Sequence, residues 1–231
     1  MNKLKLKLLA ITTSIILGLA FVPNREFKYI NKSQGDNSLT FSNDENMKIY
    51  GTVTIERNWV VDPADTKRVF QNLDDIFVVK AKVNSIEEAL FLEVEENYSN
   101  PHPFTPVNIS VNDVLVGDGL ENLEKVYLVG GQVKISEVMK TMTEDAIKKL
   151  EYDKLPKEAL DTYIDYTSNH DYDLSVGDEY VFILLKQRDD TYHILGNGYG
   201  VFKENSTKST KGYQNVLTKN ELVGADGNII R

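Results

Sequence analysis

One stretch, residues 174–202, sets the strongest limit on how this chain can fold. An apolar run from Tyr180 to Leu185 follows a Gly-Asp turn, and polar residues 187–190 separate it from a second apolar run that begins at Tyr192. The first run is too short for an ordinary helix and is rich in residues that favour strands, so it predicts a buried strand. The two runs together predict a β-hairpin in the core of a small β-protein.

The first 21 residues predict a targeting segment. Lys3, Lys5 and Lys7 precede an apolar run over residues 8–21, which has the charge pattern and length of a secretory signal sequence. Small residues allow cleavage after Ala20, whereas an uncleaved membrane anchor is the alternative, although the run is short for a full span. We therefore expect export to the cell surface or beyond, with residues 22–46 as a flexible tether.

Charge and cysteine content narrow the environment and the partners. The 231 residues include 26 Lys and Arg, 35 Asp and Glu, and no cysteine. With the three lysines of the targeting segment set aside, 23 basic residues face 35 acidic ones, a formal charge of −12. This charge disfavours nucleic acid and anionic lipid as partners, so membrane contact is expected only through the N-terminal segment. Export without disulfides or a lipid-modified cysteine indicates a Gram-positive type of cell envelope.

Alternating apolar residues predict further strands in the first half of the chain. These strands are expected at residues 47–55, 75–83, 89–94, 107–114 and 126–129. The strand at 75–83 is apolar on both faces in its first half, as expected where a strand leaves a barrel interior. Asp65 or Thr66 is expected to cap a short helix, and Trp59 to extend the first strand or to dock as an aromatic plug.

Helical signals predict an insertion over residues 136–169. Ser136 is expected to cap one short helix, and Thr143 a second whose first turn is acidic, which suits the helix dipole. A third helical segment is expected over residues 157–166, because apolar residues recur there at helical spacing. The insertion therefore lies between the early strands and the hairpin.

Two glycine-rich stretches are interpreted as features of the backbone. Gly130-Gly131 predicts a kink at the entry to the insertion, and residues 196–200 (GNGYG) predict a bulge or a sharp corner. A phosphate cradle would need a helix after the glycines, whereas residues 201–202 continue as strand. Together the elements predict a mainly β fold with a helical insertion (α+β). These elements are expected to form a single domain over residues 47–231.

This order of elements resembles a group of uncharacterised exported bacterial proteins. The likeness covers residues 66–202 and rests on a strand ending at Val83, VLVG at 114–117, Gly130-Gly131, VGDEY at 176–180 and GVF at 200–202. Their barrel is similar to the OB-like barrel of netrin-like modules and of tissue inhibitors of metalloproteinases. Those inhibitors act through an N-terminal cysteine, which this chain lacks. The resemblance therefore implies an OB-like antiparallel β-barrel of five to six strands, and it implies no inhibitory activity.

The three histidines are the first candidates for reactive chemistry. His170, Asp171 and Asp173 offer an imidazole and two carboxylates for a hard or borderline metal, whereas aspartates before a strand are commonly solvated turn formers. We expect His102, His170 and His193 to stay apart in the fold, with no metal or cofactor. The sequence also lacks the Gly-x-Ser-x-Gly motif of serine hydrolases.

Tyrosines gather near the insertion and the hairpin and predict a ligand face. Its members are Tyr163, Tyr166, Tyr172, Tyr192 and Tyr199. OB-like barrels bind linear ligands on an aromatic face, whereas core packing is the alternative explanation. We therefore expect a non-enzymatic, extracytoplasmic binding or adaptor module of the cell envelope, with a protein, peptide or glycan ligand. An exported hydrolase or protease inhibitor, with a site assembled from distant residues, is the alternative.

Overall fold

The computed structural model describes residues 48–57, 59–92, 102–205 and 212–231, so the predicted targeting segment and tether lie outside the described residues. The strands are β1 (Ile49–Thr54), β2 (Ile76–Ile86), β3 (Phe104–Val116), β4 (Lys125–Val129), β5 (Gly131–Lys134), β6 (Tyr163–Thr167), β7 (Glu179–Lys186), β8 (Tyr192–Ile194), β9 (Val201–Glu204) and β10 (Tyr213–Asn215). The helices are α1 (Thr66–Asn72), α2 (Ile135–Lys140) and α3 (Glu144–Lys149). None of the helices in these ranges has the length and apolar character needed to cross a membrane.

Five strands close into a barrel. β2 pairs with β3 and β3 with β4, while β7 pairs with β2. β8 completes the circle, because it lies between β4 and β7 and pairs with both. The last strand therefore inserts between the third and the fourth, as in an OB-like barrel, and the predicted fold class is confirmed. Four of the pairings are antiparallel, and the contact of β4 with β8 is parallel.

Alternation along the strands divides side chains between the barrel interior and its outer surface. In β2, Val79 and Ala81 belong to the interior cluster, whereas Val78 packs outward. In β7, Phe182 faces inward and Ile183 outward. Where these two strands pair, both of their faces are covered, which explains the unbroken apolar runs at residues 76–79 and 180–185. The predicted hairpin is confirmed, since β7 and β8 are antiparallel neighbours.

A second layer covers the outer face of β2 and β7. This layer contains α1, whose N-cap is Asp65. The side chain of Asp65 accepts a hydrogen bond of 3.1 Å from the backbone N–H of Arg68. This cap confirms the predicted helix start. β9 and β10 extend the sheet beyond β7. Phe202 of β9 and Leu222 are buried in the same cluster as Val69 of α1.

The insertion contributes the strand β6 to a second sheet and is less helical than its sequence predicted. β6 lies in the middle, parallel to β1 and antiparallel to β5. The predicted helix over residues 157–166 is therefore wrong at its C-terminal end, where Tyr163–Thr167 is strand β6. Ile164 and Tyr166 are buried there in alternate positions. The partner strand β1 is distant in sequence, so local periodicity did not reveal the pairing.

The predicted helix caps have different outcomes. Thr143 caps α3, since its Oγ1 accepts a hydrogen bond of 3.3 Å from the backbone N–H of Ala146. Ser136 is not a cap, because α2 already begins at Ile135 and its N-cap is Lys134, without a side-chain hydrogen bond.

Gly130 and Gly131 form the predicted kink between the barrel and the second sheet. Their φ angles are 96° and 110°, in a region that residues with a side chain rarely adopt. A Cβ at Gly131 would also collide with Oγ1 of Thr105. The kink lets the chain leave β4 and enter β5 at once.

Candidate ligand-binding site on the outer barrel surface

One region of the outer barrel surface collects aromatic and cationic side chains from separate segments. The segment after β1 supplies Arg57 and Trp59, and the residues before β3 supply His102. β4 supplies Tyr127 and β8 supplies His193. We call these five residues the Arg57 patch, and all five are partly exposed to solvent.

Strand geometry directs Tyr127 and His193 away from the barrel interior. Their neighbours Val126 and Ile194 are buried in the interior cluster, and successive side chains of a strand face opposite sides. Tyr127 and His193 are Cα partners in the parallel contact of β4 with β8, and their ring centroids are 5.5 Å apart. Barrel closure therefore creates this pair.

Burial keeps the two histidines of the patch uncharged at pH 7. Burial lowers the pKa of His193 to about 4, with Arg57 acting in the same direction and Asp189 opposing. Burial and the charge of Arg57 likewise lower the pKa of His102. Because Arg57 acts on both histidines, these three side chains occupy the same part of the surface.

A chain of hydrogen bonds orients the neutral His193 ring. Its Nε2 is 3.0 Å from Oγ1 of Thr191, and this hydroxyl is 2.7 Å from Oδ1 of Asp189. Partial burial by itself would raise the pKa of Asp189, but hydrogen bonds from Thr191 outweigh it and hold that pKa below the usual range. An ionised carboxylate only accepts, so Thr191 donates to Asp189 and accepts from Nε2–H. His193 therefore carries its lone pair on Nδ1, and Phe104 packs against its ring at 4.6 Å.

This chain of hydrogen bonds differs from that of a hydrolase. In a catalytic triad the imidazole lies between the carboxylate and the hydroxyl and takes the hydroxyl proton. Here the hydroxyl of Thr191 lies between Asp189 and His193, and its proton points to the carboxylate. The arrangement positions the imidazole and does not activate a nucleophile.

Trp59, the only tryptophan of the chain, docks on the barrel as an aromatic plug. Of the two predicted alternatives, docking is the one observed, because β1 ends at Thr54. The indole lies directly against Gly196, where a Cβ would be 3.0 Å from Cη2 of the ring. The guanidinium of Arg57 lies over the indole, with Cζ 5.5 Å from its centroid, at the distance of a cation–π contact.

Asn197 holds the glycine-rich corner against the barrel. Its side chain pairs with both backbone groups of Val129, donating to the carbonyl at 2.9 Å and accepting from the N–H at 3.1 Å. The corner is a 3₁₀ turn over Asn197–Gly200 that leads straight into β9. The predicted sharp corner is thus confirmed, and it forms the floor on which Trp59 rests.

The predicted metal candidates take part in local packing. The carboxylate of Asp171 accepts from the backbone N–H and the hydroxyl of Ser168, at 2.7 and 2.9 Å, and from Nδ2 of Asn197 at 2.6 Å. The ring of His170 packs at a tilt against Tyr199, with centroids 4.7 Å apart, and Asp173 is exposed. Within the described ranges, no group of three acidic or imidazole side chains is placed to hold a metal ion.

The five tyrosines predicted as a ligand face lie in separate environments. Tyr166 is buried in the core of the second sheet, and Tyr163 lies under the ammonium of Lys134 at 5.8 Å. Tyr172 packs edge-on against Tyr180, and Tyr192 against Phe77. Only Tyr199 adjoins the patch, because it and Trp59 both approach Gly196.

Sequence reasoning missed Arg57 and Tyr127. A signal for Arg57 was present, because Ile55, Arg57 and Trp59 occupy alternate positions and so share one face of an extended segment. Ile55 is buried in the second-sheet core, which places Arg57 on the side of the chain that faces the protein. Tyr127 carried no comparable signal, since its role depends on the contact of β4 with β8.

The fold defines the chain as an OB-like β-barrel protein with a small mixed sheet attached. No protein-family model matches the sequence, and no curated protein matches it. The resemblance to exported bacterial proteins therefore stays a prediction.

Proposed function

We propose that this protein is an exported, non-enzymatic binding module of the cell envelope that holds its ligand at the Arg57 patch. The observation that carries the proposal is the patch itself. Partly exposed rings from separate segments share one region of the outer barrel surface with a guanidinium. Aromatic faces of this kind are where OB-like barrels bind linear ligands.

The sequence supports the location and the class of partner. The basic and then apolar N-terminus has the pattern of an export signal, and the rest of the chain has a formal charge of −12. Such a charge repels nucleic acid and anionic lipid surfaces. The ligand is therefore an envelope peptide, glycan or protein, and membrane contact is confined to the N-terminal segment.

The alternative of an exported hydrolase has less support. In the described residues, Asp189, Thr191 and His193 form a hydrogen-bonded group of an acid, a hydroxyl and an imidazole. The hydroxyl of Thr191 lies in the middle of this group and donates its proton to the carboxylate of Asp189. A hydroxyl held in this way is not an activated nucleophile. The same residues serve a binding role, because they fix the orientation of an aromatic ring beside Tyr127.

Cosedimentation of the full-length chain with purified bacterial cell walls tests the proposal. We expect saturable binding that Trp59→Ala weakens by about fivefold or more, because a tryptophan in such a patch carries much of the contact energy. Tyr50→Ala is the matched control, since Tyr50 is a partly exposed aromatic residue on β1, outside the patch. Absence of saturable binding, or equal weakening by both substitutions, would contradict the proposed function.

A further inference from the structure

The charge of Arg57 is only partly balanced within the described residues. None of the ion pairs found there at 4.0 Å or less involves Arg57. Asp171 acts on Arg57 from a longer distance and opposes the effect of burial, which lowers the pKa of the guanidinium. The carboxylate of Asp171 is itself engaged by Ser168 and Asn197. A partly buried guanidinium usually has a closer anionic partner.

The surroundings of Arg57 leave the edge of the guanidinium as its binding surface. Cζ of Arg57 lies over the indole of Trp59, 5.5 Å from the ring centroid. A guanidinium has five N–H donors that point outward in its plane, and a single cation–π contact leaves donors for a ligand. A planar acceptor with two oxygen atoms matches this fork with two parallel hydrogen bonds.

The charges around Arg57 favour an acceptor with a single negative charge. His102 and His193 are neutral at pH 7, so Arg57 is the only full positive charge in the patch. Asp171 and Asp189 add negative charge nearby. A group with two negative charges, such as a phosphate monoester, would meet too little positive charge to offset its loss of water.

We propose that Arg57 binds a carboxylate group of the ligand, with Trp59 packing against the part of the ligand next to it. This inference rests on the proposed binding function and adds the chemical group that the site recognises. The neutral imidazole of His102 offers an N–H donor beside the carboxylate, whereas His193 offers only the lone pair of Nδ1 and does not donate to it. Free carboxylates occur at peptide C-termini and on acidic sugars, and both fit the same fork.

Fluorescence of Trp59 gives a direct test in the full-length chain. Because this is the only tryptophan, its emission reports on the patch alone. Sodium acetate, titrated at pH 7 and constant ionic strength, is expected to change the emission with saturation at millimolar concentrations, on the order of 1–10 mM for so small a ligand. Acetamide and sulfate are expected to bind at least tenfold more weakly, because one lacks the charge and the other lacks the planar shape.

Substitutions at Arg57 separate this site from general salt effects. Arg57→Gln removes the charge and is expected to weaken acetate binding at least tenfold, and Arg57→Lys keeps the charge without the fork and is expected to weaken it severalfold. Arg68→Gln is the matched control, because Arg68 is exposed on α1 and pairs with Asp65. Its acetate affinity should equal that of the unmodified chain.

The carboxylate proposal and the binding function can fail independently. An unsaturable acetate titration, sulfate binding as strong as acetate, or unchanged affinity in both Arg57 variants would overturn the carboxylate proposal. If cell-wall binding still depends on Trp59 in that case, the binding function stands and the recognised group is a different one. N-acetylglycine and methyl glucuronide, titrated in the same way, then distinguish a peptide carboxylate from that of a sugar.

Discussion

The neutral imidazole of His193 makes the fold sensitive to acid. Its pKa is about 4 in the folded chain and 6.5 in an unfolded one, so the unfolded chain binds the proton more tightly. The contribution of the neutral His193 to the free energy of unfolding is therefore fully present above about pH 6.5 and is lost as the pH falls toward 4. The full loss corresponds to about 3 kcal/mol, of which about 2 kcal/mol is expected between pH 7 and pH 5.

Urea unfolding of the full-length chain at pH 7 and pH 5 measures this effect. His193→Gln cannot titrate, so we expect the substituted chain to lose about 2 kcal/mol less than the unmodified one over this interval. Some pH dependence should survive, because the pKa of His102 is lowered as well. Identical losses in the two chains would show that His193 is not held neutral by the fold.

The residues of the site were harder to predict from sequence than the fold. His193 lies in the predicted return strand of the hairpin, but its neighbour Tyr127 comes from a strand that contacts β8 only through barrel closure. Arg57 had a local signal in the alternation of Ile55, Arg57 and Trp59. That signal is ambiguous on its own, because alternate residues share a face in any extended segment.

At the scale of elements, predictions succeeded where local sequence determines structure. The β7–β8 hairpin and the caps Asp65 and Thr143 depend on neighbouring residues, and all three are observed. β6 was predicted as helix because its pairing with β1 is a contact between distant segments. The short helix α2 was predicted in the right place, but its predicted start was wrong. The helix begins at Ile135, and its N-cap Lys134 makes no side-chain hydrogen bond.

The side chain of Asn215 holds together the corner where the 3₁₀ turn, β9 and β10 meet. Asn215 is 3% exposed, and its Nδ2 donates to the carbonyls of Gly198, Tyr199 and Val201 at 3.0, 2.8 and 3.0 Å. Its Oδ1 accepts from the backbone N–H groups of residues 217 and 218. This one side chain therefore fixes the relative position of three backbone segments.

Asn215→Asp keeps the shape and the acceptor of this residue but removes the donor. The substitution places a carboxylate against three carbonyl oxygens, so we expect a loss of about 2–4 kcal/mol in the free energy of unfolding. Asn220→Asp is the control, because Asn220 is exposed and its amide makes one hydrogen bond of 3.4 Å to the carbonyl of Ala64. Thermal unfolding of both variants decides the matter, and equal melting temperatures would rule out the role given to Asn215.

At the scale of the whole molecule, the closed barrel explains how distant residues meet. The Arg57 patch draws on the segment after β1, the start of β3, β4 and β8, and the glycine-rich corner supports it. β4 and β8 are neighbours because β8, the last strand of the barrel, inserts between β4 and β7. The fold class was predictable from the pattern of strands, whereas this meeting point was not.

The proposed location outside the cytoplasm leads to a prediction for the N-terminus. Residues 1–46 fused to alkaline phosphatase should give an active enzyme in bacteria, because this reporter is active only after export. Replacing Lys3, Lys5 and Lys7 with glutamate should reduce the activity severalfold, since the basic region directs insertion. The cytoplasmic control is a fusion that starts at residue 47 and lacks the N-terminal segment. Strong phosphatase activity of this control, without activity of the fusion that carries residues 1–46, would be incompatible with export.

The Arg57 patch is the proposed ligand-binding surface of this OB-like barrel. Amide chemical-shift mapping by NMR, with the full-length chain and soluble cell-wall fragments, tests it most directly. We expect the largest saturable shifts at residues 57, 59, 102, 104, 127, 193 and 196–199, which form or adjoin the patch. Shifts concentrated on β1 or on α2 and α3, with these residues unchanged, would contradict it.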